Sequence, residues 1–336
     1  MRQRATVRQV AEETGLSIAT VSRVLNGQDN VAPRTREVVL EAAGRLGRRP
    51  PHRRSPVIYV RCPYVLSDYF GLIVSSIAEA AATQRLEVLL NAGESAQRTD
   101  ALRGLPARSG VGGAILILPP EPADDLVRLR DSGFPFVVVD PRTTPPRDIA
   151  AVSAAHFTGA RALMSHLVTL GHRRVGIIAG PRDWLVTDAR TAGHLAALAD
   201  VGVLPTPDLM RHVPEPTVDH GHRAAGELLD RPDPPTALVG FNDKMAVGAL
   251  RAAAERGLRV PDDLSIAGFD DIDLSRATHP QLTTVRQPLA EMGRMAVTLY
   301  TRLLDQHEHE ALHVELATEL IVRSSTGPAV VRGPVG

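Results

Sequence analysis

At 336 residues, 43% apolar and 23% charged, the chain is long enough for two or three domains and too balanced for a disordered or fibrous protein. It holds no run of 18 apolar residues and no apolar segment behind its basic start, so neither a membrane span nor a secretion signal is expected and a cytoplasmic protein fits. One cysteine, Cys62, excludes an internal disulfide or thiolate metal cluster, and the zero net charge hides a polarity, since residues 1–54 carry 11 arginines against 5 acids. A basic head on an acidic body can orient a protein on a phosphate backbone.

Residues 1–47 read as three short helices. Thr6 can cap the first, whose inner face is Val7, Val10 and Ala11, and Gly15 breaks it. Ser17 caps a second that runs to about Asn26, where Gly27 ends it. Pro33 suits the first turn of a third, which runs through Val38, Val39, Ala42, Ala43 and Leu46. Two short helices joined by a tight glycine-containing turn make a helix-turn-helix. Projected at 100° per residue, Val21, Val24 and Leu25 share one arc of the second helix, while Ile18, Ala19, Ser22, Arg23 and Asn26 occupy the opposite one. Ile18 and Ala19, exposed near the helix start, suit thymine methyls and base edges; Arg23 suits a guanine edge or a phosphate; Ser22 and Asn26 suit phosphates. The competing reading packs Ile18 and Ala19 on another part of the small domain.

Residues 48–56 form a Pro/Arg linker in which three prolines prevent a regular helix. From Val57 an effector-binding core extends over 57–336. Strands are expected at Val57–Arg61, Glu87–Asn91, Gly113–Leu118 and Phe136–Asp140, with helices at Phe70–Gln84 and Ala123–Ser132. After about residue 155 the alternation restarts. Strands follow at Val175–Ala179, Ala237–Gly240 and Leu264–Gly268, with helices near Gly159–Leu170, Thr187–Val201, His220–Leu229 and Lys244–Arg256. Such alternation implies parallel sheets covered by helices on both faces, here two doubly wound lobes with a ligand beyond the carboxyl ends of the strands. The first lobe is expected to span about 57–155 and 285–312, the second about 156–284 and 313–326.

Val7 to Leu46 resembles the DNA-binding head of LacI-family regulators, notably in Val10-Ala11, Gly15-Leu16-Ser17, Ala19-Thr20-Val21-Ser22-Arg23-Val24-Leu25-Asn26-Gly27 and Thr35-Arg36-Glu37. The resemblance implies that Ile18 and Ala19, assisted by Arg23, choose the operator, and that Thr6, Ser17, Thr20, Ser22, Asn26 and Thr35 contact phosphates. It continues to Arg323. Ser67-Asp68-Tyr69-Phe70 resembles the start of the first core helix, bordering an effector cleft. Arg190 with Gly193 matches an R-x-x-G pattern whose arginine reaches ligand oxygens. Phe241-Asn242-Asp243-Lys244-Met245-Ala246 and Gly268-Phe269-Asp270-Asp271 match two cleft loops, and Leu282 to Pro288 matches a return crossing between the lobes. The implied fold of the core is that of periplasmic binding proteins, and the implied partners are a near-palindromic duplex operator, a small effector, most often a sugar, and a second copy of the chain.

The cleft chemistry also stands on the residues themselves. Asp270 and the Asn242-Asp243 pair directly follow buried strands, and an arginine with Asp and Asn offers donors and acceptors to a hydroxylated ligand. Against this, Asp243 and Asp270 could cap local turns and Arg190 could be a surface residue. Trp184, the single tryptophan, could stack on a ligand, pack in the core or serve as a lid.

The chain departs from the family pattern three times. Six residues between Pro50 and Val57, none of them leucine, leave no room for the two-turn hinge helix that inserts leucines into the minor groove, so an extended Pro51–Pro56 with Arg53 and Arg54 on phosphates is expected. Ala155-His156 stands where many relatives have Asp-Asn, losing an expected polar contact. Pro216 replaces a common aromatic residue.

No catalytic constellation, nucleotide fingerprint or cofactor motif is present, and none of these chemistries is expected. His307, His309 and His313 read as an exposed loop in preference to a metal site. Cys62 reads as a small buried apolar residue. The leading function is an effector-controlled transcriptional regulator, most often a repressor. A solute-binding protein of the same two-lobe fold, without operator control, is the alternative. An enzyme with an accessory DNA-binding head is a third class that no residue set supports.

Overall fold

The computed structural model describes residues 6–25, 31–46, 56–97, 102–204, 206–305 and 313–330. Asn26, the linker with Arg53 and Arg54, His307 and His309 lie outside them.

The head is three helices, α1 (Val7–Thr14), α2 (Ile18–Leu25) and α3 (Pro33–Arg45). Thr6 starts α1 with a reciprocal cap: its hydroxyl accepts from Gln9 N at 3.3 Å, and its own N–H donates to the Gln9 side chain at 2.7 Å. Gly15 turns the chain at φ +69°, a left-handed conformation that costs glycine nothing. Val10, Ala11, Val21, Val24, Leu25, Val39, Ala42 and Ala43 form the buried core. Arg45 is paired with Glu13 at 3.0 Å, tying α3 to α1.

The first lobe begins with β1 (Val57–Cys62), α4 (Asp68–Thr83), β2 (Glu87–Ala92), β3 (Gly113–Ile117), α5 (Ala123–Asp131), β4 (Phe136–Val139) and β5 (Ala150–Ala154). The second follows with α6 (His156–Thr169), β6 (Val175–Ala179), α7 (Leu185–Ala199), β7 (Met210–His212), α8 (Val218–Leu229), β8 (Ala237–Gly240), α9 (Asp243–Glu255), β9 (Ser265–Ala267) and α10 (Asp273–Ala277). Then come β10 (Thr284–Arg286), α11 (Leu289–Leu304), β11 (His313–Leu316) and β12 (Glu319–Ile321).

Both sheets are parallel, with orders β11-β5-β4-β3-β1-β2 and β7-β6-β8-β9, and β10 pairs antiparallel with β12 between them. Alternate residues of the first sheet explain its two layers. Ile58, Val60, Ile115, Ile117, Val137 and Val139 face α4 and α11, while Tyr59, Ala114, Leu116 and Val138 pack with Leu126 and Leu129 of α5. In the second lobe, Val175, Ile177 and Val239 face α6 and α7, and Ile178, Leu238 and Ile266 face α8 and α9.

One lobe boundary differs from expectation. The sequence places residues 313–326 in the second lobe, but β11 pairs with β5, matching His313 to Ala151 and Leu316 to Ala154, so it is the edge strand of the first sheet. The passage to the second lobe comes after it, at β12. Val314 and Leu316 alternate with exposed His313 and Glu315, as suits an edge strand with one face packed on the first-lobe core. The chain therefore crosses between lobes three times: after β5, at β10 and at β12.

Candidate functional site

Two surfaces collect the polar and exposed residues singled out by the sequence. On the head, α2 buries Val21, Val24 and Leu25 and leaves Ser17, Ile18, Ala19 and Arg23 exposed, with Thr20 and Ser22 half-buried. Ile18 is 54% exposed, so it does not pack into the small domain. Ser17 accepts from Thr20 N at 3.1 Å and shares a hydrogen bond with the Thr20 hydroxyl at 2.8 Å, which starts α2. Thr6 is exposed at the start of α1, and Thr35 is half-buried in the first turn of α3. Asn26 lies outside the described residues.

The second site is the cleft between the lobes. Asp140 directly follows β4 and Asp270 lies three residues beyond the end of β9, and both hold left-handed backbone, with φ +48° and +116°. Non-glycine residues adopt such conformations at a cost, and they concentrate where a side chain must be aimed. The Tyr69 hydroxyl from α4 donates to one oxygen of Asp140, and His156, the first residue of α6, lies 3.0 Å from the other. Arg190 of α7 is only 5% exposed. It donates to the Phe241 carbonyl at 2.5 Å, lies 3.4 Å from His156 Nδ1 and 3.6 Å from Asp270 Oδ1, and stacks over the Phe269 ring at 3.8 Å. Gln287, after β10, donates to Asp270 Oδ1 at 2.6 Å.

Gly193 explains why Arg190 arrives here. A side chain at 193 would place its Cβ 2.3 Å from the Phe157 carbonyl of α6, so only glycine lets α7 lie this close to the helix that begins with His156. The R-x-x-G spacing thus couples the arginine to the helix contact one turn later.

Burial pushes the Asp270 carboxyl up to about 6, with Arg190 and Gln287 opposing it. Burial would also raise Asp140, but His156, the Tyr69 hydroxyl and Arg190 together hold it below the usual carboxylate range. Arg190 Nε and Gln287 Oε1 are buried without a hydrogen-bond partner, one a donor and one an acceptor.

An aromatic wall closes one side. Phe70 stacks on Tyr64 at 4.7 Å, and Trp184 stands edge-on between Tyr64 at 5.9 Å and Phe241 at 6.1 Å. Arg142, from the loop after β4, covers the Trp184 ring at 5.2 Å and donates to the Tyr64 hydroxyl. Trp184 is 8% exposed, so it belongs to the wall and is not a free lid.

Not every expected cleft residue faces the cleft. Asp243 is fully buried; its oxygens accept from Ile272 N at 3.0 Å and the Thr284 hydroxyl at 2.6 Å. It braces the second lobe against the crossing strand, which corrects its assignment to the effector. Burial, then the neighbouring Asp270, holds its carboxyl well above the ordinary range. Asn242 spends its carbonyl oxygen capping α9, accepting from Met245 N at 3.0 Å. Asp68 is exposed in the first turn of α4, where a carboxylate complements the helix dipole. Asp271 is bound by Arg276, Arg286 and Arg323 and is structural.

Sequence reasoning missed Asp140, Gln287, Tyr64 and Arg142 and treated His156 only as a lost contact. Asp140 was findable, since it follows a buried strand as Asp270 does. Arg142 and Tyr64 sit in loops without a pattern. Cys62 is buried, its thiol pushed up to about 11 by burial, as its apolar reading implies. Among the described residues no cluster of His, Cys, Asp and Glu could hold a metal ion, and no helix is long and apolar enough to cross a membrane.

The head and the core each match a known family. Residues 6–50 match bacterial regulatory proteins of the lacI family, and residues 164–326 match a periplasmic binding protein-like domain. The chain is 34% identical to the transcriptional repressor CytR of Escherichia coli K12 over 335 residues, 96% of each chain. It is 32% identical to the transcriptional regulator CelR of Thermobifida fusca over 339 residues, covering 96% of this chain and 99% of the relative. Among solved structures, a CelR–cellobiose complex superposes with a TM-score of 0.74 at 32% identity, covering 96% of this chain and all of that one. The lac repressor dimer bound to operator and the anti-inducer ONPF superposes with a TM-score of 0.71 at 27% identity, covering 97% of this chain and all of that one. A helix-turn-helix head in front of a two-lobe core, matched over nearly its whole length, makes this chain a member of the LacI family of bacterial transcriptional regulators.

Proposed function

We propose that the chain acts in the cytosol as a homodimeric repressor whose hold on a near-palindromic operator is set by a small hydroxylated effector, a sugar by preference, bound between the lobes. The observation that carries the effector reading is the buried pair of unsatisfied groups beside Asp270. Arg190 Nε seeks an acceptor and Gln287 Oε1 seeks a donor, and a hydroxyl supplies both. The aromatic wall supports it, because an aromatic-poor chain places Tyr64, Phe70, Trp184 and Phe241 against this one cleft, and ring faces pack on the apolar face of a pyranose. The complex of the CelR relative with cellobiose points the same way.

On the head, Ile18, Ala19 and Arg23 would read base edges, and Thr6, Ser17, Thr20, Ser22, Asn26 and Thr35 would hold phosphates. Asp68, Tyr69, Phe70, Trp184, Arg190, Asn242 and Asp270 would border the effector, Tyr69 through Asp140 and Asn242 mainly as a cap. A second copy would cover the edge strand β2 and the outer face of α4. Leu89, Leu90, Leu72, Val65 and Leu66 are all more than a third exposed there, and an apolar edge strand left in water is an aggregation site.

Genomic footprinting of the full chain, repeated with a panel of mono- and disaccharides, tests this. Discrete near-palindromic sites released by a sugar are expected. Protection that no sugar changes would remove the effector reading while leaving the operator reading intact.

A further inference from the structure

His156 is one of the two residues by which this chain departs from the Asp-Asn pattern, and the structure places it in the cleft, between Asp140 and Arg190. It opens α6 immediately after the first crossing between lobes and is 7% exposed. Its Nε2 lies 3.0 Å from Asp140 Oδ1 of the first lobe, and its Nδ1 lies 3.4 Å from Arg190 Nη2 of the second. The two neighbours leave one arrangement. An ionised carboxylate only accepts, so Nε2 carries the proton; a guanidinium only donates, so Nδ1 accepts. The imidazole must then be neutral, since a second proton would set an N–H against the Arg190 cation.

We propose that His156 is a positioning residue for effector recognition: its neutral Nε2–H tautomer joins Asp140 to Arg190 across the two lobes and holds the guanidinium where an effector meets it. The proposal rests on the effector reading of the cleft for its purpose, but not for its geometry. Tyr69 buttresses the far side by donating to Asp140. The groups facing the imidazole are Asp140 from the end of β4, Arg190 from α7 and Glu315 from β11, and the Phe269 ring lies 6.1 Å away. Those facing Arg190 are Asp270, Tyr69, Asp140 and Asp243, and Lys244 also faces Asp270. Burial pushes the imidazole below its ordinary value, with Arg190 acting in the same direction and Asp140 and Glu315 opposing. The neutral form is therefore the one present at pH 7. Acidification breaks the link from the His156 side by charging the ring, while protonation of Asp270, whose carboxyl titrates at about 6, removes a separate anion from Arg190.

The test uses the full-length protein and needs no effector, so its failure is distinguishable from failure of the sugar reading. Two-bond proton–nitrogen correlation spectra of the labelled protein identify the His156 ring as the signal lost in His156→Asn, with His156→Gln as a second variant should the first not fold. At pH 7 a neutral ring protonated on Nε2 is expected, and in Arg190→Met the same ring should take up its second proton at a higher pH. A charged ring at pH 7, or a ring protonated on Nδ1, overturns the proposal. Emission of Trp184, the single tryptophan, between pH 8 and 5 then reads the cleft. A transition present in the wild type and in Asp270→Asn but absent in both His156 variants supports the link. One that persists in the His156 variants and vanishes in Asp270→Asn assigns the event to Asp270 and overturns it.

Discussion

The ammonium of Lys244, the sole lysine of the chain, donates to the hydroxyl of Ser67 at 3.0 Å and so bridges the start of α9 in the second lobe to the residue that precedes α4 in the first. A half-buried bond with one charged partner contributes about 1 kcal/mol, enough to bias an opening equilibrium several-fold. Lys244→Met should raise amide hydrogen exchange over residues 66–70 without changing the unfolding midpoint in urea by much. Unchanged exchange there would mean that the lobes do not part at this edge.

Arg190→Met should abolish release from the operator by sugar while leaving operator affinity within a few-fold, as gel shifts with and without the released sugar would record. Its removal leaves Asp270 buried beside fewer donors, and breaking such a pair destabilises by about 3–5 kcal/mol. The carboxyl should respond by titrating above its present value of about 6. Loss of operator binding in a folded variant would instead make Arg190 a purely structural residue.

Asp243 and Asp270 should separate in mutagenesis despite their common setting after buried strands. Asp243→Ala strips acceptors from Ile272 N and the Thr284 hydroxyl, each costing about 1–3 kcal/mol when left buried and unpaired. A large fall in urea midpoint is expected. Asp270 is separated from it by a pH dependence that falls in an accessible window. Its carboxyl is raised to about 6, so the stability it contributes is full below about pH 4 and lost as pH rises through 6. Asp270→Asn should flatten that slope, keep the fold at pH 7 and alter the sugar response.

His194 of α7 is buried against α6, where its Nδ1 donates to the Ala160 carbonyl at 3.0 Å. Burial, opposed by that hydrogen bond, pushes the ring down to about 4. The native state then binds fewer protons than the unfolded chain between about pH 6.5 and 4, so stability falls as pH falls through this window, by on the order of 3 kcal/mol in all. His194→Asn keeps a donor near the carbonyl but cannot titrate. Urea melts at pH 7 and pH 5 should show the variant losing less than the wild type; equal losses would place the acid sensitivity elsewhere.

Exchanging Ile18 and Ala19 together for Ala and Ser should leave the thermal midpoint close to the wild type, because both side chains are exposed. Operator preference should change instead, with about 1–3 kcal/mol redistributed per affected base pair in a selection from randomised sites. An unaltered preferred sequence would remove α2 as the reading element.

The head was legible almost residue by residue, because its signals are local: a capping threonine, a left-handed glycine and a 3.6-residue apolar period. The strands of both sheets were legible for a similar reason, as fully buried runs such as Gly-Ala-Ile-Leu-Ile at 113–117. What escaped was non-local. β11 alternates like any edge strand, and nothing in His-Val-Glu-Leu states that its neighbour is Ala150–Ala154 some 160 residues earlier in sequence. The cleft divided along the same line. Arg190 came through the family resemblance and Asp270 through its place after a buried strand, whereas the Asp243 carboxylate turns inward to Ile272 and Thr284, a choice made by tertiary hydrogen bonds. Asp140 could be found from its strand end, but its link through His156 to Arg190 exists only once the first crossing brings the three together.

The edge strand β11 also bears on synthesis. Because β11 and α11 belong to the lobe that starts at residue 57, that lobe cannot be finished on the ribosome until more than 300 residues have been polymerised. The nascent first sheet must wait with β5 unzipped along one side and the outer layer beside α4 vacant, while the intervening lobe folds on its own timetable. Pauses in translation just before α11 would lengthen that exposure, and the burden on chaperones should track them.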